Sequence, residues 1–431
     1  MVKVLDFSKK NVEMWGGLSY PIIKMEKDMI DRPLYLRRLQ AWKDKTDVIK
    51  VITGIRRCGK SKLLESFAEH LNANGVSEKR LIQMNFEDMR YENMTVQELN
   101  RLLEEKIAAN GNEVTYIFLD EIQKVTAWEK MVTSLRLKPN VDLYLTGSNA
   151  YMLSSDLATY LSGRYVEIKM YPLSFREFLS FYAFPQGWGE ERKFAQYMKF
   201  GGMPSLIDCE FDETQVAEVW DGIYNTVLVK DVLTRAKVRD VQIIQKIIRF
   251  MADNVSNCSS TNSITNTLYS EKSISSKNNV LVDECLELLE KSFIFYRAPR
   301  YDVKGKELLR SGGKYYMSDM GLRYFVLGRV SDTGRILENI VYFELLRRGY
   351  KVFIGKVDEK EVDFVAVNGE EKIYYQVCEN MSDEKTRQRE VGALRAVGDS
   401  YQKVILTTDA LQTGATEDGI RIVNLIEWLV E

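Results

Sequence analysis

Histidine is almost absent from this chain: His70 is the one copy in 431 residues. The five cysteines, Cys58, Cys209, Cys258, Cys285 and Cys378, lie far apart and form no C-x-x-C pair. That scatter argues against a zinc site and against a disulfide framework, and it fits reduced thiols in a cytoplasm. Charge of one sign is lacking too. With 60 Lys and Arg against 62 Asp and Glu, the formal charge is −2. A chain that grips nucleic acid by bulk electrostatics is therefore excluded, while a local basic patch is not. No apolar run reaches the ~18 residues that a membrane span needs. The opening MVKVLDFSKKNVEMWGG has no uninterrupted apolar core of the kind found in signal peptides. Residues 1–33 are expected to form a loosely attached leader, and Met25 or Met29 could equally be the natural start.

What is present is ordinary globular composition, 45% hydrophobic and 28% charged, in a length that predicts two or three domains. The stretch GIRRCGKS, residues 54–61, fits the pattern G-x-x-x-x-G-K-[ST] through Gly54, Gly59, Lys60 and Ser61. Context supports it. Before it, VIKVIT is a short β-branched run suited to a buried strand. After it, Leu63, Leu64, Phe67, Ala68 and Leu71 fall on one helical face. Glycines let backbone N–H groups fold around phosphate oxygens at a helix N-terminus that already favours anions. The loop Gly54, Ile55, Arg56, Arg57, Cys58, Gly59, Lys60 and Ser61, with Lys62 beside it, is thus expected to hold ATP. Lys60 would reach the β- and γ-phosphates, and the Ser61 hydroxyl would ligate Mg²⁺. Arg56 and Arg57 are not required by the pattern, and their side chains are expected to point away and pair with acidic neighbours.

The strand VTYIFL ends in Asp120 and Glu121. Acids at the C-terminal end of a buried parallel strand land beside the ligand site of an open α/β sheet. Asp120 would hold Mg²⁺ through water, and Glu121 would be the general base for the attacking water. A further strand, VDLYLTG, leads into Ser148 and Asn149, which suit a γ-phosphate sensor or simply a turn. RLIQMNFED, between loop and acidic strand, reads as one more strand. An extra strand there marks the ATPase branch with a catalytic glutamate.

The segments GIRRCGKSKLL, FLDEIQKVTAWEKMVTSLR, YLTGSNAYML, LATYLSGRYVEIKMYPLSFREFL and GGMPSLI together resemble the AAA-type ATPases of bacteria and archaea that carry an uncharacterised C-terminal nuclease-fold domain. The resemblance runs from about Leu34 to the C-terminus. It implies an α/β P-loop NTPase core with a parallel sheet over residues 34–172 and a helical lid over 173–238. A winged helix over 239–330 and a restriction-endonuclease-like domain over 331–431 would follow. It also makes Arg164 the candidate arginine for γ-phosphate charge, in cis or from a neighbouring subunit.

In the middle region, the helix at residues 279–291 carries Asp283, Glu284, Glu287 and Glu290, which would repel DNA phosphates. The following hairpin is basic, with Arg300, Lys304, Lys306, Arg310 and Lys314. A DNA contact through Lys304, Lys306 and Arg310 is one expectation, and a packing role is the other. In the last domain, the resemblance aligns Glu338 with the helix acid of a nuclease site, Asp363 with the strand acid and Gln376 with the first residue of [E/Q]-x-K. Cys378 stands where the lysine belongs. A thiol cannot supply that charge, and Lys372 lies roughly 20 Å along the strand. The sequence therefore predicts a cytoplasmic ATPase with ATP and Mg²⁺ as cofactors and a degenerate nuclease-fold module. Alternatives are an ATP-gated switch for a protein or DNA partner, and an ATP-licensed nuclease. A homo-oligomer is compatible with all three.

Overall fold

A computed structural model describes residues 32–148, 163–227, 232, 241–274, 276–309, 312–416 and 418–431. The expected leader up to residue 31, the expected start sites Met25 and Met29, and Asn149 and Arg310 lie outside these residues.

The first layer is a five-stranded, all-parallel sheet: β1 (Ile49–Thr53), β2 (Leu81–Asn85), β3 (Thr115–Asp120), β4 (Val141–Gly147) and β5 (Tyr165–Lys169) in the order β2-β3-β4-β1-β5. Parallel strands need crossovers that cover both faces, and the residues obey that rule. Ile52, Tyr116, Phe118 and Tyr144 face one core, shared with α1 (Pro33–Ala41) and α2 (Lys60–Ala73). Ile49, Val51, Ile117, Leu119, Leu143 and Leu145 face the other, shared with α3 (Val96–Ala108) and α4 (Trp128–Arg136). β1, β3 and β4, the three central strands, are buried along their whole length. Because β4 lies between β1 and β3, the glycine loop and the acidic strand end open at the same edge of the sheet.

Helices follow: α5 (Phe175–Phe181), α6 (Glu190–Phe200) and α7 (Glu213–Thr226), then α8 (Val241–Asp253), α9 (Thr261–Ser270) and α10 (Asn279–Lys291). A capping box starts α5: the Ser174 hydroxyl accepts from the Glu177 N–H, while the Glu177 carboxylate accepts from the Ser174 N–H. Next, β6 (Phe295–Ala298) pairs antiparallel with β9 (Lys314–Met317). The short strands between them, β7 (Arg300–Asp302) and β8 (Glu307–Leu308), do something the sequence did not announce. They leave that hairpin and extend the C-terminal sheet, β7 running parallel to β10 (Lys351–Val357). The basic hairpin is therefore not a free wing, and the expected division at residue 330 cuts through one sheet.

That sheet has eight strands in the order β14-β15-β13-β12-β11-β10-β7-β8, where β11 is Lys360–Asn368, β12 Glu371–Cys378, β13 Gln402–Thr407, β14 Gly414–Ala415 and β15 Arg421–Asn424. Helix α11 (Met320–Leu327) joins the middle region to α12 (Thr333–Arg347). α12 is buried almost all round, with Phe343 packed on Tyr171 and Tyr296 at ring separations of 5.6 and 5.0 Å. α13 (Glu384–Arg395) covers the other side of the sheet, and α14 (Leu425–Val430) ends the chain against α5, where Arg176 donates to the Glu431 carbonyl.

Candidate nucleotide site

The loop between β1 and α2 is built from backbone the sequence could only supply with glycine. Gly54 has φ +154°, and a β-carbon there would sit 2.1 Å from the Met170 carbonyl oxygen. Gly59, at φ +102°, forms the N-cap of α2. Ile55 and Cys58 turn their side chains into the core, so they can serve a ligand through backbone alone. The Cys58 carbonyl accepts a 3.3 Å hydrogen bond from Arg32, whose Nε also pairs with Glu177 at 2.6 Å. Arg56 points to Glu87, 3.6 Å away, Arg57 is exposed, and Lys62 pairs with Glu65 on the open face of α2 at 3.0 Å. Arg56 and Arg57 were expected to turn away from the loop, whereas Lys62 was expected beside the nucleotide and instead pairs outward along α2.

Lys60 is buried at 4% exposure and donates to the Gly54 and Ile55 carbonyls at 2.9 and 3.0 Å. Its ammonium thus lies in the mouth of its own loop. Ser61 hydrogen-bonds to Asp120, bringing the helix start and the acidic strand end together. Burial pushes the Asp120 carboxyl above its ordinary range. The Thr146 and Ser61 hydroxyls and the Lys60 ammonium oppose that rise, and Glu121 adds to it. Glu121 sits in the left-handed region at φ +54°, a strained position for a side chain of its size. Its carboxylate receives the Gln123 amide and, at 3.2 Å, the Ser148 hydroxyl.

Thr146 is the residue sequence reasoning passed over. Its hydroxyl donates to Asp120, and its oxygen accepts the Glu121 N–H at 3.0 Å. One β4 side chain therefore holds the Asp120 carboxylate and the Glu121 backbone together. The available signal was a polar residue inside the apolar run VDLYLTG.

Arg164 is not beside this loop. Its carbonyl accepts from the Ile49 N–H at 3.0 Å, and its guanidinium pairs with Asp47 at 3.5 Å. That is the N-terminal end of β1, whereas the loop follows the C-terminal end, five residues or roughly 16 Å further along. The expected cis role is corrected: the side chain cannot span that gap.

At the other end of the chain, Cys378 packs among Met381, Val391 and Ile405, and burial pushes its thiol up to about 12. Gln376 accepts the Asp363 N–H at 2.7 Å and donates to Glu390 at 2.6 Å. Lys372 stands over the rings of Tyr301, Tyr374 and Tyr401, far from this group as expected. Lys304 pairs with Asp358, and Lys306 is exposed. Lys314, expected on an exposed basic hairpin, is buried instead. Its Nζ lies 2.8 Å from Glu338, 2.8 Å from Glu361 and 3.7 Å from Asp363. Among the described residues, no helix is long and apolar enough to cross a membrane.

The family described as "AAA domain" matches residues 46–179, and a domain of unknown function matches residues 191–333. An uncharacterised protein of Haemophilus influenzae is 40% identical over 411 residues, spanning 94% of this chain and 100% of the relative. An uncharacterised protein of Methanocaldococcus jannaschii is 33% identical over 381 residues, 83% of this chain and 78% of that one. Among solved structures, the Aeropyrum pernix ORC1 protein in complex with DNA overlaps 74% of this chain and 94% of its own at 13% identity, with a TM-score of 0.31. That overlap is too loose to transfer anything to this chain. The full-length match to the Haemophilus protein is not: the chain belongs to the family of these uncharacterised bacterial and archaeal proteins, and carries an AAA-type P-loop domain.

Proposed function

We propose that this protein is a cytoplasmic ATPase that binds ATP in the loop at residues 54–61 and hydrolyses it to ADP and phosphate. One observation carries the reading: Lys60, Ser61, Asp120 and Glu121 meet at a single sheet edge, with Thr146 bonded to both acidic residues. On ATP entry, Lys60 exchanges the Gly54 and Ile55 carbonyls for phosphate oxygens, a replacement of neutral acceptors by charged ones. Loop N–H groups and the α2 N-terminus hold the remaining phosphate charge. Ser61 and Asp120 fit a hard cation, being a hydroxyl and a buried carboxylate already in contact, and Mg²⁺ held there would neutralise charge on the β- and γ-phosphates. Glu121 orients and deprotonates the attacking water, with Ser148 and Gln123 fixing its carboxylate. Asn149 completes the γ-phosphate contact, and Arg164 acts on a neighbouring copy's nucleotide. Lys60→Ala should abolish nucleotide binding or turnover, and Glu121→Gln should keep ATP binding while slowing turnover by ~10²-fold or more. Unchanged hydrolysis by both variants would sink the assignment.

We read residues 239–330 as a winged helix whose β7 and β8 are lent to the neighbouring sheet, and that eight-stranded sheet as a restriction-endonuclease-like fold that does not cut, with nucleotide state coupled to both. Support comes from the segment after β5. Met170 lies against Gly54 and Gly59, while Arg347 of α12 donates to the Pro172 carbonyl at 2.9 Å, and Asp319 accepts the Gly202 N–H at 2.7 Å. A movement of the loop is thereby felt two residues later by the C-terminal half. A slow basal rate stimulated by a partner would identify a nucleotide-gated switch, and fast turnover by the isolated chain would identify a continuous motor.

A further inference from the structure

We infer that the acidic centre of the C-terminal domain carries the chain's own lysine as its cation. Lys314 fills the position among Glu338, Glu361 and Asp363, excludes a divalent ion from it, and locks the β6–β9 hairpin onto that domain. The inference stands apart from the ATPase reading, because none of these residues touches the nucleotide loop.

The geometry is that of an ammonium site. Three carboxylates from two elements, α12 and β11, surround a side chain that arrives from a third, β9. The 2.8 Å separations from Glu338 and Glu361 are N–H donor lengths and the 3.7 Å to Asp363 is an ion-pair distance, whereas Mg²⁺ needs oxygens at ~2.1 Å and Ca²⁺ at ~2.4 Å. The surrounding donors are committed as well. Tyr316 donates to Glu338 at 2.6 Å, the Val377 N–H to Asp363 at 2.9 Å and the Cys258 thiol to Glu361 at 3.3 Å. Gln376, the other polar group here, is spent on the Asp363 N–H and Glu390.

Charge explains why the lysine stays. Burial alone would lower its proton affinity, but Glu338, Asp363 and Glu361 reverse that and hold it protonated above the ordinary lysine range. Burial in turn pushes Asp363 up to about 8, with Glu338 adding to the rise and Lys314 opposing it. Removing the ammonium would leave the buried Glu338 and its neighbours Glu361 and Asp363 without their cation, the costly way to break a buried ion pair. Such a pocket would either lose its fold or recruit a cation from solution.

The test uses the full chain without nucleotide, with Mn²⁺ followed by electron paramagnetic resonance and thermal unfolding. The parent protein should show no Mn²⁺ bound at this centre. Lys314→Met should unfold at lower temperature and regain stability with Mn²⁺ but not with matched NaCl, binding close to one equivalent. Adding Asp363→Asn and Glu338→Gln to Lys314→Met should remove both the instability and the Mn²⁺ response. Mn²⁺ binding by the parent that Asp363→Asn abolishes and Asp120→Asn does not would overturn the inference. So would a Lys314→Met variant as stable as the parent and indifferent to Mn²⁺. Should Lys314→Met fail to fold, the triple variant keeps the question open to decision: if it folds, charge compensation is the lysine's role, and if it fails too, packing is, and the inference falls.

Discussion

The α-carbon of Gly54 faces the carbonyl oxygen of Met170 so closely that a β-carbon would come to 2.1 Å from it. The loop that would receive phosphate and the strand end that leads to the helical region are thus in backbone contact, with no side chain between them. Backbone does not yield as a flexible side chain does. Gly54→Ala should therefore cost about 1–3 kcal/mol through its left-sided φ and more through the contact, and nucleotide binding should vanish with it. Gly59→Ala meets the Met170 methyl at 3.3 Å and the Pro204 ring at 3.9 Å, both side-chain atoms able to give way, so its cost should come mainly from the strained φ. Urea unfolding and nucleotide-binding fluorescence of the two variants check the order. Equal behaviour would mean that Met170 moves freely.

Thr146 reaches Asp120 and Glu121 together, and neither contact involves a ligand directly. Thr146→Val keeps the β-branched shape that suits β4 while deleting the hydroxyl. Turnover should fall by ~10-fold or more through misplacement of both acids, with ATP affinity changed far less. Thr146→Ser should restore most of the rate. Loss of affinity in step with turnover would assign Thr146 to folding of the strand instead.

Arg164 lies at the wrong end of β1 to serve its own loop, and among the described residues its half-exposed guanidinium pairs with exposed Asp47. Such a side chain is free to complete a site on another copy. Arg164→Ala and Lys60→Ala chains should each be nearly inactive, yet a mixture should turn over ATP faster than the sum of its parts, because each copy supplies what the other lacks. Strict additivity across a range of protein concentrations would remove Arg164 from the chemistry.

How far the sequence could be read depended on whether partners were local. The strand, glycine loop and helix around Lys60 lie in one short stretch, and Asp120 and Glu121 declare themselves at the end of a fully apolar strand. Thr146 did not, because a threonine in a strand is unremarkable until its hydroxyl is seen between two acids. Lys314 misled for the same reason in reverse. Its sequence neighbours, Lys304 and Lys306 among them, belong to a basic hairpin, while the acids that bury it come from α12 and β11. Likewise β7 and β8 read as a wing, and only long-range pairing with β10 places them in the C-terminal sheet. Glu338 and Asp363, which the resemblance alone singled out, meet at the Lys314 ammonium, while Gln376 bonds to the Asp363 backbone and Glu390.

Asp319 gives the fold a pH dependence whose sign can be worked out. It caps α11 through the Gly321 and Leu322 N–H groups and accepts from Gly202 across the junction to α6. Burial pushes its carboxyl from 3.8 to about 6, against the lowering effect of those three N–H groups and of Arg347. A group raised in the folded state binds its proton more tightly there than in the unfolded chain. Its contribution to stability is therefore complete below pH ~4 and lost as pH rises through about 6, a change of about 3 kcal/mol. Asn keeps one acceptor oxygen for the α11 cap and carries no proton to lose, while the Gly202 hydrogen bond to the second oxygen is given up at every pH. Relative to the parent, Asp319→Asn should gain stability steadily between pH 4 and pH 7 and stay level above that. Parallel pH profiles for the two proteins would show that Asp319 ionises in the folded chain as it does in water.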